Sequence, residues 1–139
     1  MEADGEYLPM RVAEVGYADQ YGLQGVVVLA APDGKKFPIS AFSGEVADHI
    51  KRFVEGDRTS IPTIYKMLEE LAETQAMYLE YVQIYPKSNV LRANLVFRGK
   101  ESTLELRNYR ASDSIALAAY YDAPITIRKD LVERAETTS

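Results

Sequence analysis

Arg110-Ala111-Ser112-Asp113 places a guanidinium, a hydroxyl and a carboxylate within four residues, just ahead of the apolar run Ile115 to Ala119. An arginine can clamp a phosphate through paired N–H donors, and a carboxylate can act as a base or hold a divalent cation. Arg110, Ser112 and the nearby Arg107 are therefore the candidate phosphate-binding groups, and Asp113 is the first candidate for catalysis. Asn108 is a neutral oxygen donor at the same stretch, with a supporting role. A second carboxylate, Glu45, opens an earlier helix; its part in any chemistry depends on lying near Asp113 in space. Magnesium or manganese is the cofactor class such carboxylates would take, with the metal left unassigned.

The same residues also have a plainer reading. Serine is a preferred helix N-cap and a first-turn aspartate complements the helix macrodipole, so Ser112 and Asp113 are expected to start a helix. Glu45 reads equally as a first-turn acid. His49, the chain's one histidine, falls beside Ile50 and is taken as a packing residue in preference to a general base. A single histidine and no cysteine exclude a histidine-pair mechanism, a multi-histidine zinc site in one chain, thiolate nucleophiles and disulfides. Glycine-rich phosphate loops, a nucleophile elbow and a dinucleotide fingerprint are absent as well.

The elements that must position these groups follow from residue patterning. Arg11 to Tyr17, Gln24 to Ala31 and Lys36 to Ala41 read as strands of an antiparallel meander, with a turn at Pro32-Asp33-Gly34-Lys35. Ser43 is expected to cap a helix ending near Glu55. A second helix from about Pro62 carries the stripe Ile64, Met67, Leu68, Leu71 and Ala72, expected to share the sheet face with the first. Met77 to Ile84, Val90 to Arg98 and Thr103 to Arg107 give three more strands. A buried helix over 113–121, a short strand at Pro124 to Ile127 and a terminal helix from Arg128 to Glu136 complete the chain. The class is α+β: a single domain of antiparallel strands with helices packed on the sheet, spanning residues 10–136 behind a flexible acidic stretch, residues 1–9.

A chain of 139 residues suits one domain. Its net charge of -5 argues against a protein that coats nucleic acid, although a local basic patch would still admit RNA or DNA as a partner. No apolar run is long enough to span a membrane and the first residues are acidic, so the expected location is cytoplasmic and no membrane partner is expected. Apolar and tyrosine-rich content points to a homo-oligomer.

Read as one collinear pattern, the chain resembles the bifunctional nuclease family. The family's motif is approximately Asp-Ala-Arg-Pro-Ser-Asp-Ala-Ile-Ala-Leu-Ala followed by Pro-Ile, and Asn108 to Ala118 followed by Pro124-Ile125 is similar to it. Phe37-Pro38-Ile39 with Glu45, and Pro62, match earlier positions. The family's Thr-His-Asp triplet falls on Ile64-Tyr65-Lys66, and its first motif aspartate on Asn108. The resemblance implies an α+β nuclease fold and phosphodiester hydrolysis in RNA or DNA, with Asp113 and Glu45 as acidic groups and Arg110 orienting phosphate. The altered positions support an alternative, a binding or homo-oligomeric assembly module that keeps the fold with changed chemistry.

Overall fold

The computed structural model describes residues 4–137. Eleven elements follow in order: β1 (Tyr7–Tyr17), β2 (Gln24–Ala30), β3 (Lys36–Ser43), α1 (Gly44–Val54), α2 (Ile64–Thr74), β4 (Tyr78–Lys87), β5 (Val90–Arg98), β6 (Thr103–Arg110), α3 (Ala111–Tyr121), β7 (Ile125–Arg128) and α4 (Lys129–Thr137). The strands form one sheet in the order β3-β2-β1-β7-β4-β5-β6. All pairs are antiparallel except β4 with β7. The α+β class expected from patterning is the observed one.

Each half of the sheet is a local meander, as hairpin-sized connections dictate. Ser88 and Asn89 both adopt left-handed backbone, at φ 51° and 68°, which is the two-residue turn whose twist matches paired strands. The halves are joined by β7, which lies between β1 and β4. Because β7 pairs Arg128 with Tyr7 and Ile127 with Leu8, β1 begins at Tyr7, four residues before the start expected from patterning. Tyr7 to Pro9 therefore belong to the sheet and not to a flexible leader; residues 1–3 of that stretch lie outside the described residues.

α3 is the centre of the core. Its sequence is apolar on all sides, and Ile115, Ala116 and Ala118 are fully buried against α1, β4 and β5. Small alanines let the neighbours approach closely. α1 is amphipathic and turns Ala47, Ile50 and Phe53 inward. α2 departs from expectation: of its helix only Tyr65 is buried, and the stripe Ile64, Met67, Leu68 and Leu71 faces outward at 63, 53, 40 and 59% exposure. The space that stripe was expected to fill is already taken by α3. Among the described residues no helix is long and apolar enough to cross a membrane.

Candidate functional site

Three chain segments meet at Tyr65. The first is the start of α1, where Ser43 is extended and its Oγ accepts a hydrogen bond from the Val46 N–H at 3.3 Å, as an N-cap should. This sets Glu45 in the first turn. One turn on, the His49 imidazole turns Nε2 toward Glu45 Oε1 at 3.6 Å, while Arg52 contacts Nδ1 at 2.6 Å. Arginine only donates, so Nδ1 must accept and the hydrogen of the neutral ring sits on Nε2, facing Glu45. Glu45, His49 and Arg52 thus form a polar ridge along one helix face, with the spacing i, i+4, i+7.

The second segment is α2. Thr63 caps it, accepting from the Lys66 N–H at 3.2 Å, and so points Tyr65 inward. The Tyr65 ring is edge-on to His49 at 5.3 Å and to Phe53 at 5.5 Å, and Phe53 in turn meets Tyr120 at 5.1 Å. Edge-to-face contacts of this kind fix ring orientation. His49 therefore does pack, as the sequence reading preferred, and the same packing holds its polar edge against Glu45.

The third segment is the β6–α3 junction. Arg110 Nε donates to Asp113 Oδ2 at 3.0 Å. Arg110, not Ser112, occupies the N-cap position of α3, and its side chain makes no capping bond. Ser112 lies within the first turn at 6% exposure, because the strand runs directly into the helix and leaves no loop residue to cap it. The expected N-cap role of Ser112 is corrected accordingly.

Electrostatics tie the segments together. Burial pushes the Tyr65 phenol up to about 12; the negative charges of Asp113 and then Glu45 push it the same way, and Arg110 opposes them. Asp113, Glu45 and Arg110, drawn from α3, α1 and the end of β6, thus act on one phenol. Tyr65 has no hydrogen-bond partner among the described residues, and its oxygen is not sealed from solvent. At neutral pH it is an unused O–H donor within electrostatic range of two carboxylates and a guanidinium.

Arg107 and Asn108 do not join this cluster. Both line a different cavity of about 550 Å³ with Tyr7, Gln83, Tyr85 and Asn94. The cause is a bulge: Ala93 pairs with Tyr109 but Leu95 with Leu106, so β6 carries an extra residue opposite Asn94. Asn108 takes up the bulge at φ 67°. Its N–H donates to Asn94 Oδ1 at 3.2 Å, and its side-chain oxygen accepts from the Tyr85 hydroxyl. Arg107 pairs with Glu105 at 3.0 Å. A supporting role for Asn108 beside Asp113, and a phosphate-binding role for Arg107 beside Arg110, are not what this placement provides.

Among the described residues no three acidic or imidazole groups are placed to hold a metal ion, and Asp113 is already engaged by Arg110.

Three residues at this edge were within reach of sequence reasoning: Glu45, His49 and Arg52 share a helix face by spacing alone. Tyr65, by contrast, reads in sequence only as a departure from a family histidine; its value rests on burial and neighbours.

A comparison with curated proteins gave no significant match. Residues 27–139 match the family model for the bifunctional nuclease domain. That span runs from within β2 to the C-terminus and includes all three segments that meet at Tyr65, and on this match the chain belongs to the bifunctional nuclease domain family.

Proposed function

We propose that this domain hydrolyses phosphodiester bonds in RNA or DNA at the edge formed by α1, α2 and the β6–α3 junction. The observation that supports it is that Glu45, Asp113 and Arg110, from three separate segments, all act electrostatically on the Tyr65 phenol while Arg110 and Asp113 are paired at 3.0 Å. Arg110 is 72% exposed and can turn its remaining N–H donors to a phosphate while Nε holds Asp113. A carboxylate of the pair takes a proton from water as its oxygen attacks phosphorus. The bond from phosphorus to the leaving oxygen breaks, and that oxygen is protonated from solvent. Tyr65, still protonated, donates to a non-bridging oxygen as charge builds there. With its hydrogen on Nε2, His49 steadies Glu45 and is not itself the base.

The test is cleavage of labelled single-stranded RNA and DNA by wild type, Asp113→Ala, Glu45→Gln and Tyr65→Phe, each with magnesium, manganese or chelator. Tyr65→Phe is expected to lower turnover by about a hundredfold with unchanged melting, as removal of one transition-state donor does. Cleavage by Asp113→Ala at the wild-type rate would sink the assignment.

A second reading, self-assembly, is supported by the outward stripe of α2. Exposed apolar side chains at i, i+3, i+4 and i+7 form a helix-pairing face. The helix is also charge-asymmetric, with Lys66 near its start and Glu69, Glu70 and Glu73 further on. An antiparallel pairing of two copies about a two-fold axis brings each Lys66 toward the other copy's acids. Sedimentation at several concentrations should show a wild-type oligomer and a Leu71→Glu monomer. A wild-type monomer at all concentrations would rule this out.

A further inference from the structure

The sheet curls far enough that its first edge strand, β3, comes close to the β4–β5 hairpin and the end of β6. A cavity of about 370 Å³ lies between them, lined by residues 38–42, residues 89–92, Arg110, Ala111 and Ser112. No acidic residue lines it, in a chain whose acids outnumber its bases.

Three observations give the cavity its chemistry. Arg92 and Arg110 are direct cross-strand partners in the β5–β6 ladder, so two positive side chains leave the sheet side by side. Like charges in directly opposite positions oppose folding, and Asp113 offsets only the Arg110 side of this pair. Among the described residues the Arg92 side chain makes a single hydrogen bond, to the Leu91 carbonyl at 3.3 Å, and the Arg110 side chain a single one, to Asp113, so both keep donors in reserve. Second, α3 starts at this cavity without a side-chain cap, leaving its first-turn N–H groups unsatisfied by the helix. Third, the Ser112 side chain lines the cavity at 6% exposure with no hydrogen-bond partner among the described residues. That hydroxyl is not sealed from solvent, so its hydrogen is free for a ligand that enters the cavity.

We infer that this cavity is a phosphate subsite, with Arg92, Arg110, Ser112 and the first-turn amides of α3 as its donors, and that its ligand is a backbone phosphate of a single-stranded nucleic acid. It deepens the hydrolase reading and depends on it for its role. The carboxylates act on one phosphate, and the subsite grips a neighbouring one through Arg110, which the two share. Arg92 is the new residue here, and only the β5–β6 register connects it to the site.

The experiment separates grip from chemistry. Inorganic phosphate is titrated into wild type, Arg92→Gln, Arg92→Lys and Ser112→Ala while the amide resonances of Ala111, Ser112 and Asp113 are followed. Binding of a labelled single-stranded oligonucleotide is measured in parallel, and melting in phosphate-free buffer checks folding. Phosphate should shift those three amides selectively in wild type. Arg92→Gln should weaken both ligands by about tenfold or more, Ser112→Ala by several-fold, and Arg92→Lys should restore part of the loss. Arg92→Gln should also melt no lower than wild type without phosphate, because it relieves the cross-strand repulsion. Shifts scattered over the chain, or wild-type phosphate affinity in Arg92→Gln, would overturn the subsite. Selective phosphate binding by a protein that cleaves nothing would uphold it while the hydrolase reading fails.

Discussion

Replacing Gly44 with alanine tests whether the start of α1, and with it Glu45, is held as described. Gly44 is the first residue of α1 and is buried, and helix propensity alone predicts that alanine stabilises there by about 1 kcal/mol. The structure predicts the opposite sign. A Cβ at Gly44 would lie 1.8 Å from the Gly22 carbonyl oxygen and 2.7 Å from its carbon. Relief needs a backbone displacement of at least about 1 Å, and overpacking of this sort costs about 1–3 kcal/mol or more. The same shift strains the bond from the Gly44 N–H to the Leu23 carbonyl at 2.9 Å, which contributes about 1 kcal/mol. The loop cannot easily yield, because Asp19 Oδ1 accepts from the N–H groups of Leu23 and Gln24, both at 2.9 Å. Net destabilisation is therefore about 2–3 kcal/mol, a fall in Tm of roughly 10 °C for a domain of this size. Thermal unfolding followed by circular dichroism reads it directly. Gly16→Ala is the control: nothing lies within 4 Å of its added Cβ, and it should melt at or above wild type. A Gly44→Ala protein melting as high as wild type would refute the close approach of α1 to the 22–23 loop and the placement of Glu45 that depends on it.

Other outcomes follow from buried polar groups. Asn94, at 2% exposure, accepts from the Asn108 N–H at 3.2 Å and shares the single Tyr85 hydroxyl hydrogen with the Asn108 side chain, so Asn94→Leu should cost about 2 kcal/mol in urea unfolding by orphaning the bulge. The Tyr121 hydroxyl is buried without a hydrogen-bond partner among the described residues, and Tyr121→Phe should raise stability by about 1 kcal/mol in the same assay. Burial pushes the phenols of Tyr7, Tyr65 and Tyr121 up to about 12 and that of Tyr120 higher still. Below pH 10 both the folded and unfolded chains keep these protons, and the contribution is fully present. As pH rises from 10 toward 12 the unfolded chain ionises first, so stability should fall across that window, with folded-state tyrosinate absorbance lagging behind. A flat unfolding midpoint from pH 10 to 12 would contradict the burial of these rings.

Much of this fold is written in local pattern. Alternating Val, Ile and Leu with hairpin turns such as the one at Ser88-Asn89 places β4 and β5, and Ser43 announces α1, because strand pleat, turn geometry and capping are decided within a few residues. The all-apolar Ile115 to Ala119 was legible as a buried helix for the same reason. Glu45, Asp113 and Arg110 were legible as candidates by residue type and by family motif.

Long-range packing decided the rest. The amphipathic stripe of α2 turns outward because α3 already fills the core, and periodicity cannot say which apolar surface a helix meets. Ser112 is no cap because β6 runs without a break into α3. One extra residue in β6 sends Asn108 and Arg107 to another cavity, and no propensity encodes that bulge. Tyr65 and Arg92 gain their roles only from neighbours distant in sequence. The residue types that could do chemistry were fixed by the chain alone; which of them share one edge was set by strand register and by what occupies the core.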